Sequence, residues 1–152
     1  MITIRKATIE DEAGVFGLLR QLSSSETSGE STDRWQGGSA TFREIVNNED
    51  RGTILVAEED GDLVGVITLS YPTAIRCRGI YTCIEEFIVS TNTRGKGVGG
   101  QLLEAAVAEA TSKGCDEIQV NRPSELGYPV YLQHGWEDLG KHLNMKLPRQ
   151  NS

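Results

Sequence analysis

A chain of 152 residues with 38% apolar side chains can bury one core without help from metal or disulfide, and no apolar run approaches the ~18 residues of a membrane-crossing helix. Its 15 Lys and Arg against 22 Asp and Glu give a formal charge of −7, which argues against nucleic acid or an anionic membrane as the main partner and tolerates a cationic one. Cys77, Cys83 and Cys115 are odd in number and lack close metal-type pairs, so free thiols are expected rather than a disulfide framework or a metal site. With no signal-peptide pattern at the N-terminus, the expected compartment is the cytoplasm.

Residues 2–7 alternate as a first strand does, and residues 11–22 carry Val15, Phe16, Leu18, Leu19 and Leu22 at helical spacing. Residues 23–39 are rich in Ser, Thr, Gly and Glu, with Trp35 as the only large apolar side chain, and read as a loop that is either a connector or a lid. A short second helix is expected over residues 41–48. Residues 54–59 and 63–70 flank Asp60-Gly61, which marks a hairpin turn. Pro72 closes that strand, residues 73–79 form a loop, and residues 80–89 mix β-branched and aromatic side chains as a central strand does. A third helix over residues 98–113 places Leu102, Leu103, Ala106 and Ala110 on one face and ends at Gly114. A strand over residues 116–120 follows, then a loop and a short helix over residues 130–134, with Pro129 at its start and Tyr128 outside it. Strands are expected near Trp136 and over residues 143–147. Residues 1–148 form one domain, and residues 149–152 a frayed tail.

The most informative stretch joins the central strand to the third helix. Gly95, Lys96, Gly97, Val98, Gly99 and Gly100 crowd glycines and a base together, preceded by Arg94. Glycines let successive amides point into one concavity, and the N-terminus of the following helix adds partial positive charge, so the stretch reads as a cradle for a pyrophosphate. Gly95, Gly97 and Gly100 also spell G-x-G-x-x-G, but a dinucleotide-binding glycine turn follows its strand almost directly. Here the polar residues 90–94 intervene, and Asn121 stands where an acidic ribose ligand would end the next strand. A dinucleotide site is therefore disfavoured.

Read as R-x-x-G-x-G, with Arg94, Gly97 and Gly99 fixed and Val89 closing the strand, the same residues resemble the signature of the GNAT superfamily of acyl-CoA-dependent N-acyltransferases. Glu85-Glu86-Phe87-Ile88-Val89 is similar to the family's motif strand. Tyr131-Leu132-Gln133-His134-Gly135-Trp136 resembles its Tyr-x-x-x-Gly-aromatic element. The resemblance covers nearly the whole chain. It implies an α/β fold with a central mixed sheet flanked by helices, in the order β-α-α-β-β-β-α-β-α-β. The sheet would splay between the strand ending at Val89 and the strand ending near Val120, opening a slot for the pantetheine arm.

The resemblance also implies site residues. Acetyl-CoA would lie on Phe87, Ile88 and Val89 and on the cradle of Arg94, Gly95, Lys96, Gly97, Val98, Gly99 and Gly100, with a strand amide near Ile88 or Val89 facing the carbonyl oxygen. Many members hold the CoA arm with an Asn seven residues before the motif Tyr, where this chain has Ser124. Tyr131 would protonate the leaving thiolate. An alkylammonium is about one part in 10³ neutral at pH 7, so presenting the free amine costs about 4 kcal/mol, and a carboxylate near the slot can help. Glu86 is the first candidate for that base and Glu85 the second, unless either only pairs with Arg76 or Arg78. Glu30 and Trp35 would close over the acceptor.

These readings amount to an N-acetyltransferase that uses no metal and acts by direct attack of a primary amine on acetyl-CoA. The acceptor is expected to be a small molecule, and family members commonly pair as homodimers. Two rivals stand beside it: acetylation of a protein or peptide amine, and a non-catalytic acyl-CoA sensor in which Tyr131 and Glu86 only pack. Amine-dependent thiol release separates the sensor from the enzyme.

Overall fold

The computed structural model describes residues 1–24, 35–93, 95–140 and 142–148. Among the described residues the strands and helices follow in order: strand β1 (Ile2–Lys6), helices α1 (Glu12–Ser24) and α2 (Ser39–Asn47), strands β2 (Gly52–Glu59) and β3 (Asp62–Ser70), a small β4 (Thr73–Ala74) and β5 (Gly79–Ile80) pair, strand β6 (Thr82–Val89), helix α3 (Val98–Ser112) and strand β7 (Ile118–Val120). Helix α4 (Tyr128–Gln133) closes the series. The main sheet runs β1-β2-β3-β6-β7, antiparallel except for the parallel β6–β7 pair. The mixed α/β sheet is the one expected.

The β2–β3 hairpin turns at Asp60 and Gly61, both at positive φ (53° and 85°), the conformation that a two-residue turn with the twist of the strands demands. The sheet buries both faces. Leu55, Ile67, Leu69 and Ile84 meet Val98, Leu102, Leu103 and Ala106 of α3 on one side. Val56, Val66 and Ile88 meet Val15, Leu18 and Leu19 of α1 and Phe42 of α2 on the other. Gly65 lets α3 approach β3: a Cβ there would lie 2.8 Å from Cδ1 of Leu102.

Two features of β6 shape the site. Thr68 pairs with Glu86 and Leu69 with Ile84, so Glu85 is an extra residue, a β-bulge. The bulge resets the alternation of side chains: Ile84 and Phe87 pack on the α3 face, whereas Ile88 packs against α1 and α2. β7 pairs only with Thr82, Cys83 and Ile84, which leaves residues 85–89 of β6 without a strand on that side. This is the splay that the family resemblance implies.

The structure departs from the predicted elements in three places. Neither strand expected near Trp136 and over residues 143–147 forms among the described residues. Trp136 instead packs its ring on Tyr131, 4.9 Å between centroids, and Asp138 is turned by accepting bonds from Gly140 N (2.8 Å) and Tyr128 Oη (2.7 Å). Leu143, Met145 and Leu147 lie 95%, 81% and 78% exposed, so no second layer rewards a ladder on so short an edge as β7. Tyr128 belongs to α4, because Gly127 is the N-cap and Pro129 sits in the first turn. Within residues 73–79 the chain forms β4, a 3-10 turn over Ile75–Cys77 and a reversal at Arg78 (φ 55°) leading into β5.

Candidate functional site

Two cavities open where β6 and β7 part. The first, about 560 Å³, is walled by Phe87, Ile88 and Val89 of β6 and floored by Gly95, Gly97, Val98, Gly99 and Gly100, with Ser124, Gly127 and Val130 opposite. The second, about 630 Å³, is lined by Glu85, Glu86, Phe87, Ser124 and Tyr131, by Trp35, and by side chains from the β7–α4 connection and the C-terminal segment. Phe87 and Ser124 line both. The cavities therefore meet at these two residues.

The floor of the first cavity is built from backbone. Gly95 and Gly97 stand at φ +92° and +79°, where a Cβ is strained, and Gly97 caps α3 with no side-chain hydrogen bond. The first amides of a helix have no partner within it, so those of α3 are available to an anion, reinforced by the helix dipole. Lys96 extends away, its Nζ 3.6 Å from Glu59, and does not line the cavity. Arg94 lies outside the described residues, as does Glu30.

Tyr131 projects from α4 and is 4% exposed, its ring edge-on to Phe87 (5.6 Å) as well as against Trp136. Its hydroxyl makes no hydrogen bond among the described residues. Burial, with a smaller contribution from the Cys83 thiol, raises its pKa well above the ordinary tyrosine value, so it remains a proton donor through neutral and mildly alkaline pH. Ser124 holds the turn that leads into α4: its Oγ accepts from Gly127 N at 3.0 Å, and its carbonyl accepts from Tyr128 N at 2.9 Å.

Glu86 is fixed from β3, since the Thr68 hydroxyl donates to its carboxylate and accepts from its backbone amide (2.9 Å). Glu85, on the bulge, accepts from Ser70 Oγ at 2.7 Å and is exposed. Arg76 pairs with Glu117 (3.6 Å) rather than with either of these carboxylates. Asn121, Arg122, His142, Asn144 and Lys146 also line the second cavity, none of them among the site residues expected above. The polar residues 142, 144 and 146 alternate with the apolar 143, 145 and 147, a signal that could have assigned one face of this segment to the site.

The model of the acetyltransferase (GNAT) family matches residues 18–136, most of the chain. The chain belongs to the GNAT family. The chain is 32% identical over 141 residues to the uncharacterized N-acetyltransferase YhfO of Bacillus subtilis (strain 168), covering 90% of this chain and 91% of the relative. It is 31% identical over 117 residues to glucosamine 6-phosphate N-acetyltransferase 1 of Oryza sativa subsp. japonica, covering 74% and 67%. A predicted acetyltransferase from Clostridium acetobutylicum, solved with acetyl-CoA, shares the fold at a TM-score of 0.82 and 21% identity, with 96% of each chain covered. This GNAT protein is thus an acetyl-CoA-dependent N-acetyltransferase. No helix among the described residues is long and apolar enough to cross a membrane.

Proposed function

We propose that this GNAT enzyme acetylates the primary amine of a small molecule by direct attack, with acetyl-CoA in the first cavity and the amine in the second. The meeting of the two cavities at Phe87 and Ser124, beside the buried Tyr131, carries this reading. The pyrophosphate would take the amides of residues 95–100, with Arg94 and Lys96 adding charge and Ser124 flanking the arm. The thioester would then lie along Phe87, Ile88 and Val89 at the unpaired edge of β6, where a strand amide can face the carbonyl oxygen as charge develops. An open cavity of about 630 Å³ suits a small acceptor, and the name of the rice relative supports one.

In this scheme Glu86 takes the amine's proton, directly or through water, and Tyr131 hydrogen-bonds the departing sulfur and protonates it. Thr68 holds the Glu86 carboxylate in place, and Glu85 is the second candidate. Glu86→Gln is expected to lower kcat/KM at pH 7 by roughly 10²-fold and to recover part of the rate as pH rises and the amine deprotonates itself. An unchanged rate at pH 7 removes Glu86 from the mechanism. Trp35 would cover the acceptor, together with Glu30.

The proposal extends to a single-domain, cytoplasmic homodimer. Three free cysteines support a reducing compartment, and the exposed row Leu143, Met145 and Leu147 supports pairing with a second copy. Light scattering that returns the mass of one 16.6 kDa chain would contradict the pairing.

The defining experiment measures CoA thiol release from acetyl-CoA against amino sugars, polyamines, amino acids, aminoglycosides and peptides. Release that depends on one of the small amines, with its acetylated product identified by mass, supports the proposal. Release with peptides alone, or with none of these acceptors, overturns it.

A further inference from the structure

The second cavity carries two sets of charge that do not neutralise each other. Its carboxylates, Glu85 and Glu86, come from β6, whereas its bases, Arg122 and Lys146, come from the β7–α4 connection and the C-terminal segment. Six cationic side chains among the described residues are tied to carboxylates: Arg5 to Asp11 and Glu58, Lys6 to Glu49, Arg43 to Glu12, Arg51 to Glu44, Arg76 to Glu117 and Lys96 to Glu59. Arg122 and Lys146 make no ion pair or hydrogen bond among the described residues. His142 lies with them on the cavity wall, also without a partner among the described residues.

Resting on the acetyl-transfer reading above, we infer that the acceptor is an amine that also bears an anionic group, a carboxylate or a phosphate monoester, held by Arg122 and Lys146 while the amine faces Glu86. An ammonium alone is served by the carboxylates and has no use for the bases, which would repel it. An acceptor with both charges satisfies both sets, and the separation of the sets orients it. Arg122 offers a planar fork matched to either oxyanion and Lys146 a point charge. Both belong to positions lining the acceptor cavity and absent from the acetyl-CoA cavity. Their effect should therefore fall on the amine alone.

The test uses the full chain at saturating acetyl-CoA with matched acceptors: glucosamine against glucosamine 6-phosphate, and cadaverine against lysine. The anionic member of at least one pair is expected to show roughly tenfold or higher kcat/KM, and the pair that does so tells phosphate from carboxylate. In the Arg122→Gln/Lys146→Gln double variant that advantage should vanish, while kcat/KM for the member without the anionic group does not fall and KM for acetyl-CoA stays unchanged. Equal use of both members of each pair overturns the inference. So does an equal loss on both members in the variant, or a loss expressed in KM for acetyl-CoA. If no amine is turned over, the transferase reading fails on its own account. Calorimetric titration of the same amines into the CoA complex then decides the inference: tighter binding of an anionic member, abolished in the double variant, sustains it, and its absence overturns it.

Discussion

Tyr131→Phe is expected to lower kcat by roughly 10²- to 10⁴-fold, the contribution of a positioned acid, the role proposed for this side chain. The substitution removes one atom that has no hydrogen-bond partner among the described residues. It keeps the ring contacts with Phe87 and Trp136, so neither thermal stability nor binding of acetyl-CoA should change appreciably. The raised pKa of Tyr131 sets the pH behaviour: the phenol is protonated across the neutral range, so no loss of rate with rising pH near neutrality should be assignable to it. Stopped-flow or steady-state thiol release, with equilibrium CoA binding measured alongside, checks the split. A variant with full turnover excludes Tyr131, and one that unfolds or no longer binds CoA assigns it a structural role instead.

Leu102→Ala is expected to be the most damaging single truncation among those considered, at about 3–5 kcal/mol. Leu102 is fully buried, and its Cδ1 occupies the space that Gly65 leaves open above β3. That contact seats α3 on the sheet and with it the cradle at the N-terminus of α3. The lost methyl groups leave a cavity that strand and helix, both bonded along their backbones, can close only in part. The melting temperature should fall by ~10 °C for a chain of this size, and denaturant titration should give a lower midpoint at an unchanged slope. A fall of under about 2 °C would mean that the interface relaxes around the gap.

The parts of the site legible in the sequence are those whose chemistry is local. Gly95 to Gly100 announce a cradle because positive φ and closely spaced amides are properties of the residues themselves, and Tyr131 is set by a short helix marked by Pro129 and Gly135. What stayed hidden depends on partners far along the chain. The bulge at Glu85 exists only in register with Thr68 and Leu69, and it decides which face each following side chain meets. Lys96 stands next to the cradle in sequence, and its pairing with Glu59, at the end of β2, depends on a partner the local sequence does not announce. Residues 143–147 carry a strand's alternation but lack a second layer to bury their apolar face, so period alone misjudged them. The same alternation sets His142, Asn144 and Lys146 together on the wall of the second cavity.

The central claim is that acetyl-CoA and amine occupy two adjoining cavities at once and react without an acetylated enzyme. Initial rates with both substrates varied test it most directly. Lines that intersect in the double-reciprocal plot, with no acetyl group on the protein after incubation with acetyl-CoA alone, are the predicted result. Parallel lines with a protein that carries acetyl would contradict the account.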